Sequence, residues 1–212
     1  VEEAGGVLTP MAQRCGSANT LVVLPDGSLV ADNTDTEGII GPLRERMSLK
    51  DSNVAMLGAG GAARAAAIGL LMEGARVVVF NRSQERARGL VEDVKSRMEA
   101  SASIEYRSGA PRSEDGFDAV LNMTTLGMAG GPDPELSPLE ALGGSVDVLG
   151  EGMVVFDAVY QPRRTPLIQQ ARQAGAITIT GDEMFLAQAA RQFRTWTGGE
   201  APMDEWKAML ES

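Results

Sequence analysis

From about residue 50 onward, short apolar runs alternate with segments whose apolar residues recur at helical spacing. That is the order βαβ units and a parallel sheet require. The runs predict six strands, at Asn53–Leu57, Arg76–Phe80, Ser103–Tyr106, Phe117–Leu121, Met153–Asp157 and Ala176–Thr180. Helices are predicted at Ala62–Glu73, Gln84–Ala100 and Pro166–Ala174, with a short turn at Pro138–Leu142 and two closing helices at Asp182–Thr197 and Met203–Leu210. The expected fold is α/β, a Rossmann-type doubly wound and mostly parallel six-stranded sheet. In the last helix Trp206, Met209 and Leu210 share helical spacing, which predicts a packed stripe.

The first 33 residues read differently. Asn19 to Leu24 and Ser28 to Asp32 are extended runs joined by Pro25-Asp26-Gly27, a turn sequence, so they predict a hairpin preceded by a helical turn near Thr9-Pro10. Thr34 to Met47 reads as a helix with Ile39, Ile40, Leu43 and Met47 on one face, and Thr34-Asp35-Thr36-Glu37 fits a capping box at its start.

Composition narrows the chemistry. The 212 residues are 43% hydrophobic and 23% charged, with a net charge of −10. No apolar run approaches the ~20 residues of a membrane span. The chain has no histidine, which removes His-ligated metals, His bases and His-assisted nucleophiles, and no metal is expected. Cys15 is the one cysteine and reads as a packed residue. Lysine occurs only at Lys50, Lys95 and Lys207, none in a basic run, so nucleic acid is not an expected partner. The start at Val1-Glu2-Glu3, without Met or a secretory signal, leads us to expect a processed product or excised fragment.

Gly58-Ala59-Gly60-Gly61-Ala62-Ala63 follows a predicted strand and opens a helix, matching G-x-G-x-x-G/A. The first glycine permits the tight turn, the second lets a pyrophosphate approach the backbone, and the helix N-terminus offers free N–H groups to the phosphates. An NAD enzyme would place a carboxylate about 20 residues on, to accept from the ribose 2′-hydroxyl. Asn81-Arg82-Ser83 stands there, with Arg86 one turn later, and guanidinium forks suit a 2′-phosphate. The expected cofactor is NADP.

Gly16-Ser17-Ala18-Asn19-Thr20, Asn33 to Gly38, the phosphate loop, Asn81-Arg82-Ser83, Asn122 to Met128, Phe156 to Pro162 and Gly181 to Ala189 together resemble the shikimate dehydrogenase family, in the right order over about residues 8 to 203. The last two segments look especially like dehydrogenase domains fused to a dehydroquinate dehydratase. The resemblance implies NADPH-dependent, reversible reduction of 3-dehydroshikimate to shikimate in aromatic amino-acid biosynthesis, in the cytoplasm. It also implies that residues 1–34 are a remnant of a substrate-binding domain and residues 35–212 the NADP-binding domain. By motif, Asn19 and Asp35 would bind ring hydroxyls, with Asp35 paired to a catalytic lysine. Tyr160 and Gln188 would reach the substrate from the other domain, and Thr124, Ala158, Gly181 and Met184 would line the nicotinamide end. Without the family, Asp35 reads as a first-turn acid, Gln188 as a solvated amide, Asn19 as a turn residue and Tyr160 as core.

The family places its lysine upstream of the segment matching Gly16 to Thr20, and the short stretch present there has none. The chain is therefore expected to be inactive or weakly active alone, since losing a general acid/base costs ~10²–10⁴ in rate. A dinucleotide-sensing module that never catalyses is the competing reading. A quinate dehydrogenase relative using NAD is a third.

Overall fold

The structure is a computed structural model that describes residues 5–99 and 102–211. The predicted helix end at Ala100 and the start at Val1 to Glu3 lie outside those residues. Six parallel strands, β4 (Asn53–Leu57), β5 (Arg76–Phe80), β6 (Ile104–Tyr106), β7 (Ala119–Asn122), β8 (Val154–Asp157) and β9 (Ile177–Ile179), form one sheet in the order β6-β5-β4-β7-β8-β9. The order reverses between β4 and β7, and open α/β sheets bind their ligands outside the strand ends at such a reversal.

Apart from polar residues at their ends, the central strands are apolar because helices cover both faces. On one face, α3 (Gly61–Met72) and α4 (Gln84–Arg97) bury Ala66, Ile68, Leu70, Leu90 and Val94 against Val54, Met56, Val77 and Val79. The other face packs Leu57, Phe80 and Val155 under Leu139 of α5 (Pro138–Ala141) and Leu167 and Ala171 of α6 (Pro166–Gln173).

A second sheet precedes this one. β2 (Thr20–Val23) and β3 (Leu29–Asp32) form the predicted antiparallel hairpin, after the predicted helical turn α1 (Pro10–Cys15). The sequence did not predict β1 (Val7–Leu8), which pairs parallel to β3 and is too short to show a period. From the hairpin, α2 (Asp35–Arg44) runs to the main sheet between α3 and α7 (Gly181–Thr197). Glycines permit both crossings. A Cβ on Gly69 would lie 2.6 Å from Ile40, and one on Gly38 would lie 3.0 Å from the Met184 carbonyl and 3.1 Å from the Gln188 side chain.

Two expectations are corrected. Thr34 caps α2 without a side-chain bond to the helix backbone, because its hydroxyl is committed to Asn19, so there is no capping box with Glu37. The box occurs instead at α7, where Thr180 and Glu183 bond reciprocally. In α8 (Met203–Glu211), Met209 is 71% and Leu210 40% exposed, and only Trp206 of the predicted stripe packs edge-on, against Phe193 of α7. The helix packs against α7 through Trp206, and most of its face stays open to solvent.

Candidate active site

Gly58 leaves β4 with φ +116°, a conformation L side chains rarely adopt, and a Cβ there would lie 2.8 Å from the Met123 carbonyl. The backbone is thereby held against the loop after β7. Gly60 and Gly61 are different: a Cβ on either would meet no protein atom within 4 Å, so their open side is available to a ligand. Gly60 caps α3 with no side-chain bond, leaving the first N–H groups of the helix unclaimed by a capping side chain. Gly58, Ala59, Gly60, Asn81, Arg82 and Arg86 share a cleft of about 380 Å³ with Met123, Thr124 and Thr125. Arg82 and Arg86 are exposed, and neither pairs with a carboxylate among the described residues.

Within that cleft the donor set fits a phosphorylated dinucleotide: a helix N-terminus for the pyrophosphate and two unpaired guanidinium groups where a carboxylate would select NAD. Asn81 and Ser83 shape the corner. The Asn81 amide donates to the Ser83 carbonyl at 2.8 Å, and the Ser83 hydroxyl accepts from the Arg86 N–H at 3.3 Å as the N-cap of α4. Gly61 and Ala62 form the first turn of α3 beside the cleft.

A buried pair missed in the sequence reading supports the other wall. Asn122 and Asp157, fully buried at the ends of β7 and β8, are joined by an Asn122 amide bond to Asp157 Oδ1 at 2.9 Å. The Asn122 carbonyl accepts from the Thr124 N–H and hydroxyl at 3.0 and 2.7 Å. Asp157 accepts from the Val159 N–H at 3.0 Å and the Thr165 hydroxyl at 2.6 Å. One buried amide–carboxylate pair thus fixes the two loops that carry Thr124 and Ala158. Burial raises the Asp157 carboxyl from its ordinary value, opposed by these hydrogen bonds. Polar residues ending two adjacent apolar runs were the available signal.

The second half of the site lies where the hairpin enters α2. Asn19 donates to Asp35 Oδ1 at 2.8 Å, and its carbonyl accepts from the Thr34 N–H and hydroxyl and from the Thr20 hydroxyl at 2.9–3.0 Å. Asp35 is half-buried, and that burial pushes its carboxyl up, with the Asn19 bond opposing. No cation faces it among the described residues. Lys50, Lys95 and Lys207 are all exposed. From α7, Gln192 donates to the hydroxyls of Thr20 and Thr34 at 3.2 Å, Trp196 donates to the Leu21 carbonyl at 3.0 Å, and Arg191 pairs with buried Asp32 at 3.3 Å.

Those contacts seat the hairpin on α7, one turn beyond Gln188. Gln188 and Met184 flank Gly38, which is one turn along α2 from Asp35. The Gln188 amide has no hydrogen-bond partner among the described residues. Tyr160 is 59% exposed and stacks on Phe185 at 6.4 Å, so it is a surface ring and not core. Gly181 is buried because a Cβ would lie 2.4 Å from the Val159 carbonyl, so its role in the fold is close approach of α7 to the loop after β8. Met184 packs on the core, and Ala158 follows β8 half-buried.

A glycine loop at the strand-order reversal, arginines beyond the second strand and the Asn19–Asp35 pair where the hairpin enters α2 define a nicotinamide-dependent dehydrogenase of Rossmann type. Models of two families match: "Shikimate / quinate 5-dehydrogenase" over residues 43–109 and "Shikimate 5'-dehydrogenase C-terminal domain" over residues 181–205. The shikimate dehydrogenase (NADP(+)) of Methanosarcina acetivorans is 38% identical over 205 residues, covering 93% of this chain and 69% of the relative. The chloroplastic bifunctional 3-dehydroquinate dehydratase/shikimate dehydrogenase of Arabidopsis thaliana is 35% identical, over 94% of this chain and 34% of that protein. A crystal structure of a shikimate dehydrogenase in complex with NADP+ superposes with a TM-score of 0.84 at 32% identity, covering 96% of this chain and 69% of that one. The chain belongs to the shikimate dehydrogenase family.

Proposed function

We propose that the chain carries the NADP-binding unit, and part of the substrate-binding unit, of a dehydrogenase that interconverts 3-dehydroshikimate and shikimate. The observation that carries the cofactor half is the open side of Gly60 in a cleft edged by unpaired Arg82 and Arg86. Residues 35–212 form the cofactor unit in this reading, and residues 1–34 belong to the unit that holds substrate. A dehydratase supplying 3-dehydroshikimate, fused or separate, is the fitting partner.

NADP, when bound, supplies or accepts a hydride at its nicotinamide ring. The chain's own residues do the rest. First-turn N–H groups of α3 hold the pyrophosphate, and the Arg82 and Arg86 guanidinium groups hold the 2′-phosphate. Thr124, which lines the cleft, would with Ala158, Gly181 and Met184 meet the nicotinamide end, and the Asn122–Asp157 pair ties down the loops that carry Thr124 and Ala158. Asn19 and Asp35 accept and donate hydrogen bonds to ring hydroxyls, and Gln188 and Tyr160 approach from α7 and the loop after β8.

Asp35 Oδ2 is the atom left free to take a hydroxyl proton, since Oδ1 is bonded to Asn19. Burial favours its protonated form, which suits a group that must pass a proton in both directions. No cation faces it among the described residues, so slow turnover is the expected outcome for these 212 residues. The test is NADP-dependent oxidation of shikimate by the parent chain and by Asp35→Asn, alongside NADP titration of both. Nucleotide binding that survives in Asp35→Asn while turnover disappears supports the assignment. Unchanged turnover removes Asp35 from the chemistry.

A further inference from the structure

Away from the cofactor cleft, a groove of about 460 Å³ runs along the outer edge of the sheet, where β9 is the last strand. Arg163 and Arg164 of the loop before α6, Arg172 of α6 and Lys207 of α8 line it, with Thr178 of β9 and Leu186 of α7. Its two carboxylates are already committed. Asp182 takes the Thr180 hydroxyl and pairs with Arg163 at 2.7 Å, and Glu183 pairs with Arg46 and accepts from the Thr180 N–H at 3.1 Å. Arg164, Arg172 and Lys207 pair with no carboxylate among the described residues, although Arg172 reaches the Thr178 hydroxyl at 3.5 Å.

The charge left in the groove is therefore wholly positive, in a chain whose net charge is −10. Three cations without an acidic partner, gathered around one concavity, form a local field that concentrates anions. The volume suits a small molecule. Guanidinium forks and an ammonium match phosphate or carboxylate oxygens, and the Thr178 hydroxyl adds a neutral donor.

We propose that this groove binds a small, multiply charged anion, a phosphorylated or polycarboxylate metabolite, at a site separate from the cofactor cleft. Arg163 lies in the groove and holds Asp182 in the first turn of α7, the helix that carries Met184 and Gln188, so an occupant touches an element of the active site.

The chain is first saturated with NADP, to fill the phosphate loop, and then titrated calorimetrically at low salt with inorganic pyrophosphate and, separately, with citrate. The same titrations are run on the Arg164→Gln/Lys207→Gln double variant, whose substitutions are exposed and whose NADP affinity reports that it is folded. The proposal expects saturable binding of at least one probe, weakened about tenfold or more in the double variant, with NADP affinity unchanged. Binding of pyrophosphate alone identifies a phosphorylated ligand, and of citrate alone a polycarboxylate. Failure of both to saturate, or equal affinity in the double variant, overturns the proposal.

Discussion

Asn19 spends both ends of its carboxamide on one corner: its amide donates to Asp35 Oδ1 at 2.8 Å while its carbonyl takes the N–H and hydroxyl of Thr34 at 3.0 Å. The residue that opens the hairpin thereby sets the first turn of α2 and the orientation of the carboxyl there. Gln192 fixes the same threonine from α7, so hairpin and both helices share one polar junction.

Removing that amide leaves burial unopposed at Asp35. In Asn19→Ala the Asp35 carboxyl titrates at higher pH than in the parent chain, followed by its carboxyl carbon resonance. Because Asn19 is exposed, water replaces part of what Thr34 loses, and the stability cost is about 1 kcal/mol by denaturant unfolding. A downward shift at Asp35 contradicts the assignment.

Three glycines separate fold from ligand. Gly181→Ala forces a Cβ to 2.4 Å from backbone atoms of Val159 and destabilises by several kcal/mol, roughly 3 or more. Gly58→Ala meets the Met123 carbonyl at 2.8 Å and a positive φ, and also loses stability. Gly60→Ala meets nothing and has φ −97°, so its thermal midpoint stays close to that of the parent chain while NADP affinity falls about tenfold or more. A stable Gly60→Ala chain with full affinity is inconsistent with a dinucleotide seated on that backbone.

The Asp157 carboxyl is raised by burial, so the folded chain holds its proton more tightly than the unfolded chain. The stability this contributes is fully present below the ordinary value of 3.8 and is lost as pH rises through the higher folded value. The difference in unfolding free energy between the parent chain and Asp157→Asn therefore falls with rising pH across that window and then levels. Asp157→Ala strips acceptors from the buried Asn122 amide and Val159 N–H and costs about 2–3 kcal/mol below that window, a cost that also declines as pH rises through it. A difference that rises with pH would mean the carboxylate is favoured by folding.

The sheet was legible because the interiors of its central strands are apolar, and all six strands lie within about two residues of their predicted positions. The phosphate loop was legible because steric demands at Gly58 and buried Ala63 leave few residue choices, while Gly60 keeps the backbone open to a ligand. What escaped were features made by contacts distant in sequence. The Asn122–Asp157 bond joins residues 35 apart, and the Thr34 hydroxyl was drawn from its local cap by Asn19 and Gln192. Local pattern reports a helix start but not which distant group will compete for its hydroxyl. The exposure of Met209 and Leu210 has the same origin, since spacing gives a face and not what covers it.

Selection of NADP by Arg82 is the central claim, and calorimetric titration of the parent chain and Arg82→Ala with NADP and with NAD tests it most directly. The account predicts that the parent chain prefers NADP, that Arg82→Ala loses about 10–100-fold in NADP affinity, as for one charge-assisted hydrogen-bond pair, and that NAD affinity is unchanged. Equal affinity for the two nucleotides in the parent chain, or an Arg82→Ala chain that still prefers NADP to the same degree, would contradict it.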